Sequence, residues 1–350
     1  MTDAVNPTGY VLERNVDLRG FNTLHVAARA DRVATVQHSK ALSAVLALPE
    51  LRTSPPLVLG EGSNVLFAST SVDLVLRPAF AAVTPLSEDA TAARLRVEAG
   101  LRWDALVDWT LQRGLCGFEN LALIPGLTGA APIQNIGAYG TEVAEFITTV
   151  EAWDLQAHRL ERLPASTCAF GYRDSLFKRE AGRWIVCAVE FLLPKRRAPA
   201  LDYAGVREEL AAMQAHAPTA AQVAAAIRNL RRRKLPDPAV IGNAGSFFKN
   251  PVVERTQALQ LGALHPQLPI HPAGDNACKL SAAWLIDAAG WRGYREGDAG
   301  ISAQHALVLV NHGEASGAQL LAVARKVAAA VHERFGVVLE PEPRIIGAAF

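Results

Sequence analysis

The sequence predicts an α+β protein, a body with a second α+β part behind it, on three observations. Short apolar strands such as Leu57-Val58-Leu59, Val65-Leu66-Phe67 and Leu95-Arg96-Val97-Glu98-Ala99 stand apart from separately capped helical stretches. The turn Gly60-Glu61-Gly62-Ser63-Asn64 runs from strand to strand. Val65 takes the third glycine position of the dinucleotide fingerprint and no helix follows, so a Rossmann layout is not indicated. The composition then shifts after Pro194, through a linker-like stretch at 195–199, into an Ala-rich helical segment. With 350 residues, half of them hydrophobic, the chain can bury one large or two to three smaller cores.

Taken in order, residues 1–8 carry neither a basic n-region nor an apolar h-region, so no signal peptide is expected. Asp31 predicts the cap of a helix reaching Leu48, stopped by Pro49. After the strand at 95–99, a helix is expected from Trp103 to Gln112, with Gly114 as its stop. Residues 147–153 and 184–193 read as strands. Thr219-x-x-Gln222 predicts a capping box for the Ala-rich helix, which ends in Arg231-Arg232-Arg233-Lys234. A helix over 277–289, an apolar strand over 305–310 and a helix opened by Ser316-x-x-Gln319 and closed near Gly336 complete the pattern.

One stretch organises the chain: Ile124-Pro125-Gly126-Leu127-Thr128-Gly129-Ala130-Ala131-Pro132-Ile133-Gln134-Asn135-Ile136-Gly137-Ala138-Tyr139-Gly140. A helix there would lose about 1 kcal/mol at each interior Gly and about 3 at each Pro. A central strand would lose ladder donors at the prolines. What remains is a loop whose backbone approaches something closely. A planar polar ligand with an apolar face, such as a flavin, fits that lining, and so does an irregular core-crossing loop.

Four further stretches carry polar chemistry. Backbone N–H groups of the 60–64 turn suit a pyrophosphate, although a tight hairpin explains the glycines equally well. Arg173, within Phe170-Gly171-Tyr172-Arg173-Asp174-Ser175, reads as a stacked surface pair or as a fork for a carboxylate. The run 231–234 is either a solvated helix cap or an anion site. Gly242-Asn243-Ala244-Gly245-Ser246-Phe247-Phe248-Lys249-Asn250-Pro251 again suggests backbone near a ligand, and it is not a nucleophile elbow. In the tail, Pro341 and Pro343 hold Glu342 in extended geometry, and Ile345-Ile346 predicts a tail packed on the body.

Several classes are disfavoured. A net charge of +1 argues against a nucleic-acid protein, and no apolar run reaches the length of a membrane span. Cys116, Cys168, Cys187 and Cys278 lack metal or disulfide spacing, and the nine histidines form no His-x-x-x-His pair. No metal is expected, and a cytoplasmic location fits.

The stretches at 60–64, 125–140, 171–175, 242–251 and 339–342, in that order, resemble the UDP-N-acetylenolpyruvoylglucosamine reductase (MurB) family over about 21–347. The resemblance implies a vanillyl-alcohol-oxidase/PCMH-like FAD-binding fold of two α+β lobes (17–78 and 79–198), a C-terminal α+β substrate domain (199–336) and a tail (337–350) returning to the body. It implies non-covalent FAD held by Gly60, Glu61, Gly62, Ser63, Asn64, Pro125, Gly126, Ile133, Gln134, Asn135, Ile136, Gly137 and Ala138. NADPH is the implied hydride donor and a UDP-sugar the substrate, acted on by a monomer that binds neither nucleic acid nor membrane. The family's catalytic residues fall on Arg173, Ser246 and Glu342. Its substrate residues fall on Tyr203, Lys234, Asn250 and His305, with Tyr203 marking the variant that has a tyrosine loop.

Two departures stand out: Ala130 and Ala131 replace serines found beside the flavin in some members, and His305 replaces an expected Gln. Lys249 is close enough in sequence to raise the acidity of Ser246. Glu342 is expected either to share a proton with the substrate carboxylate or to orient Arg173. The competing reading is an FAD-dependent alcohol oxidase or dehydrogenase on the same fold; many of these attach flavin through His or Cys, and neither occurs between Ile124 and Gly140.

Overall fold

The computed structural model describes residues 9–49 and 55–350. The expectation about residues 1–8 therefore lies outside the described residues. The chain groups into two units. The first holds the described residues of 1–16, 30–61 and 72–233, and the second holds 17–29, 62–71 and 234–350.

In the first unit, a five-stranded antiparallel sheet runs in the order Arg159–Pro164, Ile147–Asp154, Trp184–Pro194, Ala92–Glu98, Val83–Glu88. Alternation divides its faces. Val150, Val189, Leu95 and Val97 enter the core, whereas Glu151 and Glu190 meet Arg94, Arg96 and Arg162 on the other face. The helix Trp103–Leu111 packs on the core side, where Trp103, Phe118 and Phe191 meet at tilted or edge-on angles.

The helix Ala220–Lys234 adds Val223, Ala224, Ala226, Ile227 and Leu230 to that same cluster, and Val206 and Leu210 join it. This burial is why residues 199–233 group with the first unit rather than with the C-terminal residues. The capping box expected at Thr219 is present, with Gln222 N–H on Thr219 Oγ1 (3.3 Å) and Thr219 N–H on Gln222 Oε1 (2.9 Å).

A second sheet in this unit has the order Tyr10–Asp17, Arg29–Val36, Ser71–Pro78, Leu57–Val58. It corrects the helix expected from Asp31 to Leu48: the chain forms the strand Arg29–Val36 and only a short helix, Leu42–Leu46. Ala30, Val33, Ala34 and Val36 are buried while Asp31 points out, and the β-branched residues favour the extended form.

In the second unit, the helix Gly317–Phe335 has the predicted Ser316/Gln319 capping box and a left-handed Gly336 at its end. It buries Leu320, Leu321, Val323, Ala324, Val327, Val331 and Phe335, the stripe of a helix covering a sheet. The sheet it packs against has the order Gly242–Ser246, Val308–Asn311, Ala299–Ile301, Arg295–Glu296.

Two expectations are corrected here. The segment expected as a helix over 277–289 is a strand, Ala277–Leu280, followed by the helix Ala282–Ala288, because Ser281 caps the helix by accepting from Trp284 N–H (3.3 Å). The strand expected from His305 begins at Val308, because residues 305–307 turn, with Leu307 N–H on His305 Nδ1 (3.3 Å) and Val308 N–H on His305 O (3.0 Å). The tail strand Arg344–Ile346 pairs in parallel with Val65–Phe67, as the apolar Ile345-Ile346 suggested.

The end of the strand Ile147–Asp154 gives one test. Arg183 donates to Asp154 Oδ2 (2.7 and 3.1 Å), and the N–H groups of Gln156 and Ala157 donate to Oδ1 (2.8 and 3.0 Å). Arg183, assisted by those amides, holds the carboxyl down at about 2. The stabilisation is therefore complete above the ordinary value of 3.8 and is lost as pH falls toward 2. Thermal denaturation of Asp154→Asn should show a lower Tm than the unaltered chain at pH 7, with the gap closing as pH approaches 2.

Candidate functional site

The loop at 124–140 is fastened beneath by its own backbone. Thr128 N–H bonds Leu101 O (2.8 Å) and Gly129 N–H bonds Ala99 O (2.9 Å). A Cβ added at Gly129 would lie 2.6 Å from Ala99 Cβ, so only glycine permits this approach. At the far end the strands Gly137–Ala138 and Thr141–Glu142 are joined through Tyr139 and Gly140, both at positive φ (48° and 81°), the signature of a type I′ turn.

Side chains of the loop divide by task. Asn135 is committed to tying the loop to its neighbours: its Nδ2 donates to Glu142 (2.8 Å) and Gly171 O (3.0 Å), and its Oδ1 accepts from Ala144 N–H (3.1 Å). Ile136 is buried in the core. Ile133, Gln134, Gly137 and Ala138 are half-buried.

Arg173 is brought to this loop. It sits at φ 52°, and its guanidinium donates to Gly137 O and, at 3.5 Å, to Asn135 O, with Glu142 at 3.9 Å. A Cβ on Gly137 would meet Arg173 Nη1 at 2.8 Å, so the glycine makes room for the guanidinium. The Tyr203 ring, half-exposed, packs edge-on to Tyr139 with centroids 5.0 Å apart. Burial pushes the Tyr139 phenol above its ordinary pKa.

The start of the 60–64 turn docks on the same loop. Glu61 accepts from Gly126 N–H (2.9 Å), next to Pro125, and pairs with Arg102 (2.9 Å), while Gly60 lies against Leu127. The hairpin alternative for this turn fails. Its flanking strands do not pair with each other: Leu57–Val58 pairs with Ser71–Pro78, and Val65–Phe67 with the tail. Gly62 is left-handed (φ 64°), and a Cβ there would fall 2.1 Å from Phe21 O. Among the described residues, none accepts from the N–H groups of Gly60, Glu61 or Gly62.

The second unit brings together the end of the turn, the Ser246 strand and the tail. Glu342 N–H donates to Phe247 O (2.8 Å), Asn64 Nδ2 lies 3.4 Å from Glu342 O, and Arg344 N–H donates to Asn64 O (3.0 Å). Ser246 ends the strand Gly242–Ser246 and is half-buried. Lys249 is met by Glu340 (3.0 Å), which offsets the charge that the sequence reading set beside Ser246. Asn250 Oδ1 accepts from Ala282 N–H (3.0 Å), a helix-capping duty. Burial, with Lys234 adding to it, holds the His305 imidazole below its ordinary pKa. Ser63 lies in the same turn, between Gly62 and Asn64.

Comparison with known proteins decides the family. The C-terminal domain family of UDP-N-acetylenolpyruvoylglucosamine reductase matches residues 237–346, and an FAD binding domain family matches residues 30–160. UDP-N-acetylenolpyruvoylglucosamine reductase of Xylella fastidiosa (strain 9a5c) is 53% identical over 349 residues, 99% of each chain. That of Xanthomonas axonopodis pv. citri (strain 306) is 54% identical over 350 residues, again 99% of each. This chain belongs to the UDP-N-acetylenolpyruvoylglucosamine reductase family. The crystal structure of the Thermus caldophilus member is similar at a TM-score of 0.66 and 26% identity, covering 96% of this chain and 99% of that one. As a member of the reductase family the chain is an FAD-dependent oxidoreductase, and its fold is the α+β FAD-binding fold with a C-terminal α+β part.

Three residues of the candidate site escaped the sequence reading. Glu142 braces both Asn135 and Arg173, and Asn120 holds Tyr139 O (2.9 Å) and Ala200 O (2.8 Å). Neither stands in a motif with a spacing signal. Arg231 was visible only as part of a basic run, which the structure splits: Arg233 pairs with Glu209, Arg232 is exposed, and Arg231 turns inward.

Proposed function

We propose that this chain, a flavin-dependent reductase of peptidoglycan precursor synthesis, takes hydride from NADPH and reduces the enolpyruvyl ether of UDP-N-acetyl-3-O-(1-carboxyvinyl)-glucosamine to UDP-N-acetylmuramate. The observation that carries the reading is the Glu342 N–H bond to Phe247 O, which holds a hydroxyl donor strand and a carboxylate-bearing tail side by side. The residues fit FAD: three turn amides without an acceptor suit its diphosphate, and the half-buried Ile133, Gln134, Gly137 and Ala138 suit a flat ring. FAD, when bound, supplies hydride to C3 of the enolpyruvyl group.

This chain's residues do the rest. Hydride addition at C3 leaves negative charge at C2 that spreads into the substrate carboxylate, and Arg173 offers a fixed cation and donors to those oxygens. Glu342 shares a proton with that carboxylate. Ser246 gives its hydroxyl proton to C2, a step a positioned donor accelerates by roughly 10²–10⁴-fold. Lys234, a compact cation, meets the diphosphate, and Asn250, His305 and Tyr203 line the sugar nucleotide.

Flavin binding falls to 17–198 and substrate binding to 199–336, with 337–350 returning to the body. This functional division crosses the packing units at 199–233, where the helix Ala220–Lys234 serves the first core. Among the described residues, no helix is long and apolar enough to cross a membrane, and no group of three or more His, Cys, Asp or Glu could hold a metal. The enzyme works as a cytoplasmic monomer. The test is NADPH oxidation without oxygen, with and without the enolpyruvyl-UDP-sugar. Substrate-dependent turnover is expected; a yellow protein indifferent to this substrate overturns the assigned reaction.

A further inference from the structure

Asn120 joins two segments of the first unit through one side chain. It is buried, 1% exposed, in the short turn Glu119–Leu121, and core contacts fix that turn on both sides. Phe118 packs against Trp103 with ring centroids 4.9 Å apart, and Leu121 O accepts from Trp103 Nε1 (2.9 Å). From this platform the Asn120 amide reaches two carbonyls. Its Nδ2 donates to Tyr139 O (2.9 Å), at the tip of the loop at 124–140, and to Ala200 O (2.8 Å). Among short side chains only the Asn amide offers two donors on one nitrogen.

Ala200 is the root of the segment that carries Tyr203. Asp202, Tyr203 and Ala204 are exposed, and the chain re-enters the core at Val206, the first residue of the helix Val206–Ala212. Leu201 lies partly buried against the same core. Among the described residues, Asn120 is the one group outside the segment and its following helix that hydrogen-bonds the backbone of 198–205. The pair Asp202–Arg207 (2.6 Å) joins two exposed side chains, and such pairs contribute little. At the other end of the reach of Asn120, Tyr139 sits at φ 48° and its ring meets the Tyr203 ring. The contacts close a circuit: from the Tyr139 ring to the Tyr203 ring, back along the segment to Ala200, and through Asn120 to the Tyr139 backbone.

We propose that Asn120 is a positioning residue for substrate binding: by holding Ala200 and Tyr139 to one amide, it sets where Tyr203 stands against the sugar nucleotide. The proposal rests on the reading that Tyr203 lines the substrate, and it names the group that places that ring. A ring on an unfastened segment must be ordered by the substrate, at an entropic cost to affinity. The loop itself does not depend on Asn120, because its tip keeps its own pairing, Gly137 with Glu142 and Ala138 with Thr141. The loss therefore falls on the substrate and not on hydride uptake from NADPH.

The test is a double-mutant cycle on the holoenzyme, reading KM for the enolpyruvyl-UDP-sugar and, by stopped flow, reduction of the flavin by NADPH. Asn120→Ala should raise KM about tenfold, with kcat and flavin reduction within about twofold of the unaltered chain. Tyr203→Ala should also raise KM, and in the Asn120→Ala background it should add nothing further, because both changes remove the same placed ring. Asn120→Ser, with one hydroxyl donor, should recover part of the KM, and it replaces the alanine variant in the cycle if that variant does not fold. An unchanged KM in Asn120→Ala overturns the proposal, and so do single effects that simply multiply in the double variant. Slowed flavin reduction in Asn120→Ala also overturns it and moves Asn120 to the support of the loop at 124–140. Tyr203→Ala with a wild-type KM overturns it together with the substrate role of Tyr203. A wild-type chain without substrate-dependent turnover removes the proposed function itself and this proposal with it, whereas normal wild-type turnover with an indifferent Asn120→Ala removes only Asn120.

Discussion

Ser246→Ala should leave reduction of the bound flavin by NADPH at its wild-type rate and slow the second half-reaction roughly 10²–10⁴-fold. The asymmetry is the informative part. In the proposed reaction the hydroxyl is asked only to give a proton to C2 of the substrate, a step that comes after the flavin has been reduced. Ser246 ends a strand whose next residue, Phe247, is bonded through its carbonyl to Glu342 N–H, and that backbone contact survives the substitution. The methyl group therefore sits where the hydroxymethyl sat. Stopped-flow absorbance of the flavin, without oxygen, separates the two halves. Equal slowing of both would mean that Ser246 shapes the site instead of donating the proton.

Legibility of the fold followed local signals. The helices at 103, 220 and 317 were readable because each combines an apolar stripe with a stop or a capping box: Gly114 beyond the first, Thr219/Gln222 before the second, and Ser316/Gln319 with Gly336 on the third. The strand Arg29–Val36 was not. Asp31 is a credible helix cap in isolation, and only pairing with the distant strands Tyr10–Asp17 and Ser71–Pro78 selects the extended form. The 60–64 turn shows the same limit. Its glycines allowed a hairpin, and only the long-range partners of its flanking strands exclude one.

In the site, residues that belong to runs were legible and residues that work alone were not. Gly137 and Arg173 stand in stretches with unusual composition. Glu142, which braces the arginine, is an ordinary acidic residue until the Tyr139-Gly140 turn folds it back on Asn135. Arg231 and Arg233 are neighbours in one basic run. Helical geometry sends one inward toward Tyr139 and the other to Glu209, a separation that depends on which helix face the core covers.

The second large effect is expected at Arg173. Arg173→Lys should slow the substrate-reducing half-reaction about 10²–10³-fold, the scale for losing a preorganised donor to a developing oxyanion, although the charge is kept. The reason is geometric. The guanidinium is planar and presents several donors in a fixed fork, which bonds Gly137 O and Asn135 O at once. An ammonium on a flexible stem has no fork. Held by the loop carbonyls it would turn away from the substrate, and released from them it would lose its fixed position. Reduction of the flavin by NADPH should change little, because the loop keeps its independent fastening through Thr128, Gly129 and Asn135. A lysine variant with near-normal turnover would show that charge alone suffices and would remove the oriented fork from the mechanism. If Arg173→Lys also lost FAD, measured as flavin released on gel filtration, the arginine would be holding the loop rather than the enolate.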